Sequence, residues 1–181
     1  MVFDIFTLVE AIWIILPAYA ANGLAPVFRG KHAIDGGKMI KKQPILGAGK
    51  TWEGLIGGIV VAGIIGLVEQ MAFPFLPWSL SPQPLTIVPM TLVLGLTIGS
   101  GAMFGDLCGA FIKRRCGIDR GRPAPLLDQE DFMVGAFAFA WLFGSVTLQS
   151  GWFVLLFVLT PVIHVIANVV GYLLKVKKEP W

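Results

Sequence analysis

The chain has 181 residues, 56% of them hydrophobic and only 14% charged, with a formal net charge of +3. Soluble domains average about 45–50% apolar and about 25% charged residues, which argues against a cytosolic globule, a disordered chain or a disulfide scaffold. Five membrane helices of about 20 residues would use about 100 positions, so the chain reads as one membrane domain, 1–181, with little left over.

The first apolar run covers about 5–21. Its Ala18-Tyr19-Ala20 mimics a signal-peptide cleavage site, but nothing basic precedes it, and Asp4 and Glu10 stand where a positive segment belongs. The run therefore reads as a retained helix. Glu10, near its outer end, is expected to reach water.

A basic loop follows, about 29–50, with Arg29, Lys31, Lys38, Lys41, Lys42 and Lys50. It ends in Gly47-Ala48-Gly49-Lys50-Thr51-Trp52-Glu53-Gly54. A phosphate loop needs a glycine five residues before Gly49, where Pro44 stands. Two readings remain open: an anion site at a helix N-terminus, or a membrane-helix entry whose small residues serve packing. Lys50, Glu53, Gly54 and Gly57 are expected on one helix face.

The second span is expected at about 55–73, followed by an outer loop with Pro74, Pro77, Pro82 and Pro84. The third is expected at about 85–105, the fourth at 132–148 and the fifth at 152–174. No alternation of period two suggests strands. His164 and Asn168, four residues apart in the fifth span, read as an interhelical hydrogen-bonding pair.

The other basic residues lie between spans three and four (Lys113, Arg114, Arg115, Arg120, Arg122) and in the tail (Lys175, Lys177, Lys178). This segregation predicts an all-α polytopic membrane protein with five transmembrane helices, N-terminus outside and C-terminus cytoplasmic. The cytoplasmic loops would be about 29–50 and 106–131, in a multi-pass protein of the cell membrane whose active site faces the cytoplasm.

The second of these loops is not merely basic. It also carries Asp106, Asp119, Asp128, Glu130 and Asp131. Carboxylates beside guanidinium and ammonium groups suit a magnesium–phosphate site, where hard oxygens hold the cation and cations hold the phosphate. Asp106, Gly109, Ala110 and Lys113 share one helix face, so span three is expected to continue through this stretch. The small residues between acid and base would leave room for a ligand. Asp128 and Asp131 share a face at the start of the next helix.

These residues resemble the phosphatidate cytidylyltransferase family of membrane enzymes that make CDP-lipids. Gly105-Asp106, Lys113-Arg114 and Leu127-Asp128-Gln129-Glu130-Asp131 match its C-terminal signature in order and spacing. Lys50-Thr51-Trp52-Glu53-Gly54 with Gly57-Gly58 looks like its upstream element. Asp119-Arg120 stands where the bacterial enzymes have Lys-Asp, and Pro123-Ala124-Pro125-Leu126-Leu127 replaces their Gly-rich stretch. The pattern is closer to the archaeal branch, the CDP-archaeol synthases. The resemblance implies transfer of CMP from CTP to 2,3-bis-geranylgeranyl-glycerol 1-phosphate, releasing pyrophosphate, with Mg2+.

The residue chemistry agrees. Asp106, Asp128 and Asp131 are expected to bind metal, and Lys113 and Arg114, assisted by Arg122, to bind phosphate. Lys50 and Thr51 would contact phosphate from the neighbouring loop, and Glu53 would be a metal or supporting ligand. Asp106, Lys113, Asp128 and Asp131 would carry catalysis. The partners are CTP, a membrane lipid phosphate and the bilayer; no nucleic acid is expected and no oligomeric state is assigned. The alternatives are a CDP-diacylglycerol synthase using phosphatidic acid, a CDP-alcohol phosphotransferase, a small membrane transporter, or a purely structural membrane subunit.

Overall fold

The computed structural model describes residues 4–76 and 85–173, with side chains at 167 and 168 outside the description. The prolines at 77, 82 and 84, the tail lysines and the side chain of Asn168 therefore lie outside the described residues.

Five α-helices make the bundle: α1 (Ile5–Leu24), α2 (Trp52–Ala72), α3 (Leu92–Arg115), α4 (Leu127–Phe143) and α5 (Ser150–Leu173). Three begin on a side-chain cap that satisfies an otherwise orphaned amide. Asp4 accepts from Thr7 N, Thr51 from Gly54 N and Thr91 from Leu94 N.

Two expected boundaries shift. The third helix starts at Leu92 rather than 85, because 85–91 runs extended into the Thr91 cap. It continues to Arg115, as the one-face spacing after Asp106 predicted. The fourth spans Leu127–Phe143 rather than 132–148, starting at the acidic turn and stopping before Gly144.

The sequence predicted no strands, yet the first basic loop holds a small antiparallel hairpin, β1 (Met39–Ile40) with β2 (Gln43–Pro44). Its turn needs Lys41 at a positive φ of 57°. Arg115, at the end of α3, grips the hairpin by donating to Pro44 O at 2.5 Å.

Four helical stretches, 5–28, 52–75, 92–115 and 150–173, are long and apolar enough to cross a membrane. With 17 residues, α4 extends about 26 Å, a little short of a hydrocarbon core about 30 Å thick. The core unites α1, α3, α4 and α5 through Ile14, Ile98, Phe132, Met133, Trp152 and Leu156, all at most 2% exposed. Large apolar residues such as Ile64, Val158 and Ile166 point outward, as lipid contact requires.

Glycines set the helix spacing. Gly95 and Gly99 of α3 press on Gly66 and Ala62 of α2. On another face of α3, Gly101 and Gly105 meet Gly135 of α4 backbone to backbone. Such small residues let membrane helices approach closely enough for dispersion contacts along their backbones.

At the end of the bundle away from the basic loops, Glu10 does not reach water. It is 7% exposed, accepting from Thr86 N at 2.5 Å and from Trp152 Nε1 at 3.1 Å. It ties α1 to α5 and to the segment before α3, which satisfies a carboxylate that could not otherwise be buried.

Candidate active site

The basic loops meet where α2 begins, α3 ends and α4 begins. Asp35 organises the first of them. Its Oδ1 accepts from Gly37 N at 3.0 Å, and its Oδ2 from Leu46 N at 2.9 Å and Gly47 N at 2.8 Å. Burial would raise its pKa, but these three amides outweigh burial and hold the carboxyl below its usual value. The loop neck is closed by Ile34 N to Lys50 O at 2.9 Å and Trp52 N to His32 O at 3.0 Å. Together these bonds fix the Gly47–Lys50 turn, where Gly47 takes a φ of +95° that a side chain would strain.

Lys50 precedes α2 rather than sharing a face with Glu53, Gly54 and Gly57, and Thr51 is the helix cap. Lys50 Nζ reaches across to α3 and donates to both Asp106 oxygens, at 2.6 and 2.5 Å. Thr51 is buried, and its hydroxyl accepts from Gly54 N at 3.2 Å and Gly30 N at 3.3 Å. Gly57 faces the Phe28 ring.

Two turns along α3, Lys113 Nζ donates to Asp128 Oδ1 at 2.6 Å. The other Asp128 oxygen accepts from Ala124 N at 2.9 Å. This bond, with Leu126 N to Gln129 Oε1 at 3.2 Å, holds the turn into α4, where Leu126 adopts a φ of +66°.

Asp131 is placed by the glycine contacts. Its carboxylate fills the space where a Gly109 side chain would stand. The room expected for a ligand beside Gly109 is thus taken by the third aspartate. Asp131 is the fifth residue of α4, directly after its acidic first turn and before the apolar run from Phe132. Burial, and next the Asp106 charge, push its carboxyl up to about 7.

These elements enclose a cavity of about 620 Å³ lined by Lys50, Asp106, Lys113, Asp128 and Asp131. It extends past Arg122 to Asn22 and Pro26 near the end of α1 and to His164 and Val165 of α5. The three predicted aspartates therefore share one hollow. They are not a ready-made metal cage: among the described residues no three His, Cys, Asp or Glu side chains are gathered for ion binding. Lys50 and Lys113 occupy two of the carboxylates. The chemistry nonetheless fits a hard divalent cation, because all three donors are carboxylates and Asp131 carries strain that a cation would relieve.

Other predicted residues sit differently. Arg114 is 5% exposed and caps its own helix end, donating to Ile118 O at 2.5 Å. Arg122 is largely exposed, 4.0 Å from Asp119. Glu53 lines no part of the cavity; it faces Gly30 and His32, whose Nδ1 lies 2.5 Å from Glu53 Oε1. That bond keeps the Glu53 carboxyl below its ordinary value.

The sequence reading overlooked Asp35, for which Asp35-Gly36-Gly37 was the available turn signal. It named Glu130 among the acids of the second loop but gave it no role; the residue is 6% exposed, with both carboxylate oxygens lacking a hydrogen-bond partner among the described residues. Its position beside Asp131 carries no periodic signal.

Comparison with known proteins converges on one group. The model of the CarS-like family, CDP-archaeol synthase, matches residues 2–181. A CDP-archaeol synthase of Pyrococcus abyssi is 41% identical over 173 residues, covering 95% of this chain and 97% of that protein. One from Methanosarcina barkeri is 40% identical over 175 residues, covering 92% and 99%. A solved structure described as "structural insight into an intramembrane enzyme for archaeal membrane lipids biosynthesis" superposes with a TM-score of 0.75. It shares 35% identity and covers 89% of this chain and 94% of its own. The chain belongs to the CDP-archaeol synthase family.

Proposed function

We propose that this site transfers CMP from CTP to 2,3-bis-geranylgeranyl-glycerol 1-phosphate, forming CDP-archaeol and pyrophosphate for phospholipid synthesis. Family membership supports the reaction. The observation that carries the site assignment is the single hollow where Asp106, Asp128 and Asp131 meet Lys50 and Lys113.

A phosphate monoester has a second pKa near 6 and is largely dianionic at neutral pH, so it attacks without a general base. The obstacle is repulsion between two polyanions, which preorganised positive charge lowers. Magnesium held by Asp106, Asp128 and Asp131 would supply such charge between the reacting phosphates. Lys50 and Lys113 exchange a carboxylate partner for phosphate oxygens when substrates enter. Thr51 aims the Gly-rich entry at the phosphates, Arg122 adds positive charge at the rim, Arg114 adds it from a buried position at the end of α3, and Glu53 positions the Gly30–His32 segment that shapes the entry.

The lipid tails stay in the bilayer, so the site must open both to cytosolic CTP and sideways to lipid. The cavity's reach to His164 and Val165 of the outward-facing α5 supports the lateral opening. Basic residues segregated in sequence to two loops and the tail support five spans, an outside N-terminus, a cytoplasmic C-terminus and a site on the cytoplasmic face of the cell membrane. A transporter would instead place its ionisable groups near midplane.

The test offers purified protein each nucleoside triphosphate with either the isoprenoid glycerol phosphate or phosphatidic acid, and follows pyrophosphate release and labelled CDP-lipid. Product from CTP and the isoprenoid acceptor is expected. A preference for phosphatidic acid would reassign the acceptor, and no product with either lipid would overturn the reading.

A further inference from the structure

Arg115 grips the hairpin of the first basic loop through three carbonyls, donating to Pro44 O at 2.5 Å and to Ile40 O and Gln43 O at 3.4 Å. The tip beyond that grip is open. Met39 is 57% and Ile40 41% exposed, and Lys38, Lys41 and Lys42 are exposed beside them. From Gly36 to Gly49 the sequence contains these three lysines and no acid. The turn itself would be easier without them. Its φ of 57° at residue 41 favours Gly, Asn or Asp, yet a lysine stands there. Large apolar side chains left open among unpaired cations mark a surface built for contact.

That surface adjoins one that already faces lipid. Phe104, Cys108, Phe111 and Ile112 are all exposed and lie at i, i+4, i+7 and i+8 of α3, a single stripe along the helix. The stripe ends at Arg115, whose guanidinium carbon lies 5.3 Å from the centre of the Phe111 ring. One side chain thus joins the apolar stripe of a membrane-spanning helix to the hairpin.

We propose that the hairpin tip docks on anionic lipid headgroups at the membrane surface. Met39 and Ile40 enter the boundary between headgroups and chains, and Lys38, Lys41 and Lys42 pair with lipid phosphates. Apolar residues flanked by lysines suit that boundary, because the long stems lie along apolar surface while the ammonium groups reach the phosphates. Charge selects this occupant. A second copy of the chain, meeting the first by two-fold symmetry, would set the same lysines against one another. The inference is independent of the reaction assigned above.

Its test places a nitroxide on Met39→Cys, or on Asp119→Cys as an exposed control, after Cys108→Ser and Cys116→Ser remove the free thiols. The full chain is reconstituted in phosphatidylcholine vesicles with or without about 30% phosphatidylglycerol. Collisions with oxygen, which enters lipid, are compared with those of a water-soluble nickel chelate. In the anionic vesicles the label at 39 is expected to meet oxygen and escape nickel, while the label at 119 meets nickel. Lys41→Gln with Lys42→Gln, or omission of phosphatidylglycerol, should lower the ratio of immersed to water-exposed label at 39, by about fivefold for each lysine removed. Equal nickel access at 39 and 119, or immersion that ignores both lipid charge and the lysines, would overturn the proposal. Spin–spin broadening between labels on two copies would also overturn it and assign the surface to self-association.

Discussion

Lys50, on the loop before α2, holds both oxygens of Asp106, nine residues before the end of α3. The pair is half-buried at the bundle's basic end and joins two elements 56 residues apart in sequence. Asp106→Asn is expected to abolish turnover, by about 100-fold or more, with the fold retained. Lys50→Ala should do the same and also raise KM for CTP. Incorporation of labelled CTP into lipid measures both, and wild-type rates in either variant would remove the pair from catalysis.

Asp131 makes stability depend on pH in a direction opposite to a salt-bridged carboxylate. Its folded pKa is raised to about 7, against about 3.9 unfolded. Below pH 4 both states are protonated and the residue costs nothing. From pH 4 to 7 the unfolded chain releases the proton first, so stability falls, and the cost is fully present above 7. In detergent without divalent ions, Asp131→Asn should therefore melt higher than wild type at pH 8, by about 3 °C or more. The gap should close near pH 4 and narrow when magnesium is added to wild type, while the variant stays inactive throughout. A gap constant with pH would refute the assignment.

Two neighbouring glycines separate folding from function. A Cβ on Gly109 meets the Asp131 side chain, which can swing away. One on Gly105 meets the Asp131 carbonyl oxygen and Gly135 Cα, which cannot. Gly109→Ala should thus lose at least about tenfold in kcat with Tm nearly unchanged. Gly105→Ala should lose about 1–3 kcal/mol of stability through overpacking. Thermal melts beside rate measurements distinguish the two, and an identical response from both would contradict the contact assignment.

Glu69 of α2 is 3% exposed, and neither carboxylate oxygen has a hydrogen-bond partner among the described residues. Burying such a group costs stability unless it is paired. Glu69→Met keeps the shape and removes that cost, so it should raise Tm by a few degrees and leave CTP turnover unaltered. A lower Tm would show that the carboxyl is stabilising.

Helix content was legible because apolar length is a coarse, additive signal. Boundaries were not, where an apolar run is extended rather than helical. Residues 85–91 are as apolar as a span, but Pro89 lacks an amide and Thr91 is a cap, and both outweigh hydropathy. For α4 the local cues existed: Asp128 and Glu130 in its first turn and Gly144 after its end. Glu10 was misjudged because its partners, Thr86 and Trp152, are 76 and 142 residues away, and no local pattern reports such contacts.

Three of the site's aspartates could be read from spacing and resemblance, but not their burial or their lysine partners. The glycines at 101, 105 and 109 announced a close helix contact. Which helix they met, and that Asp131 would occupy the last gap, depends on tertiary pairing. Asp35 escaped for a different reason: it acts by bending a loop back on itself, which carries no periodicity.

The glycine ridge also constrains how this enzyme can change over evolutionary time. Positions 101, 105 and 135 have backbone where a side chain would go, so mutational drift along α3 and α4 is channelled to their outward faces. A population of variants selected only for survival should show almost no alternatives at these sites and free exchange among aliphatic residues at Val93 and Val134, whose side chains are exposed.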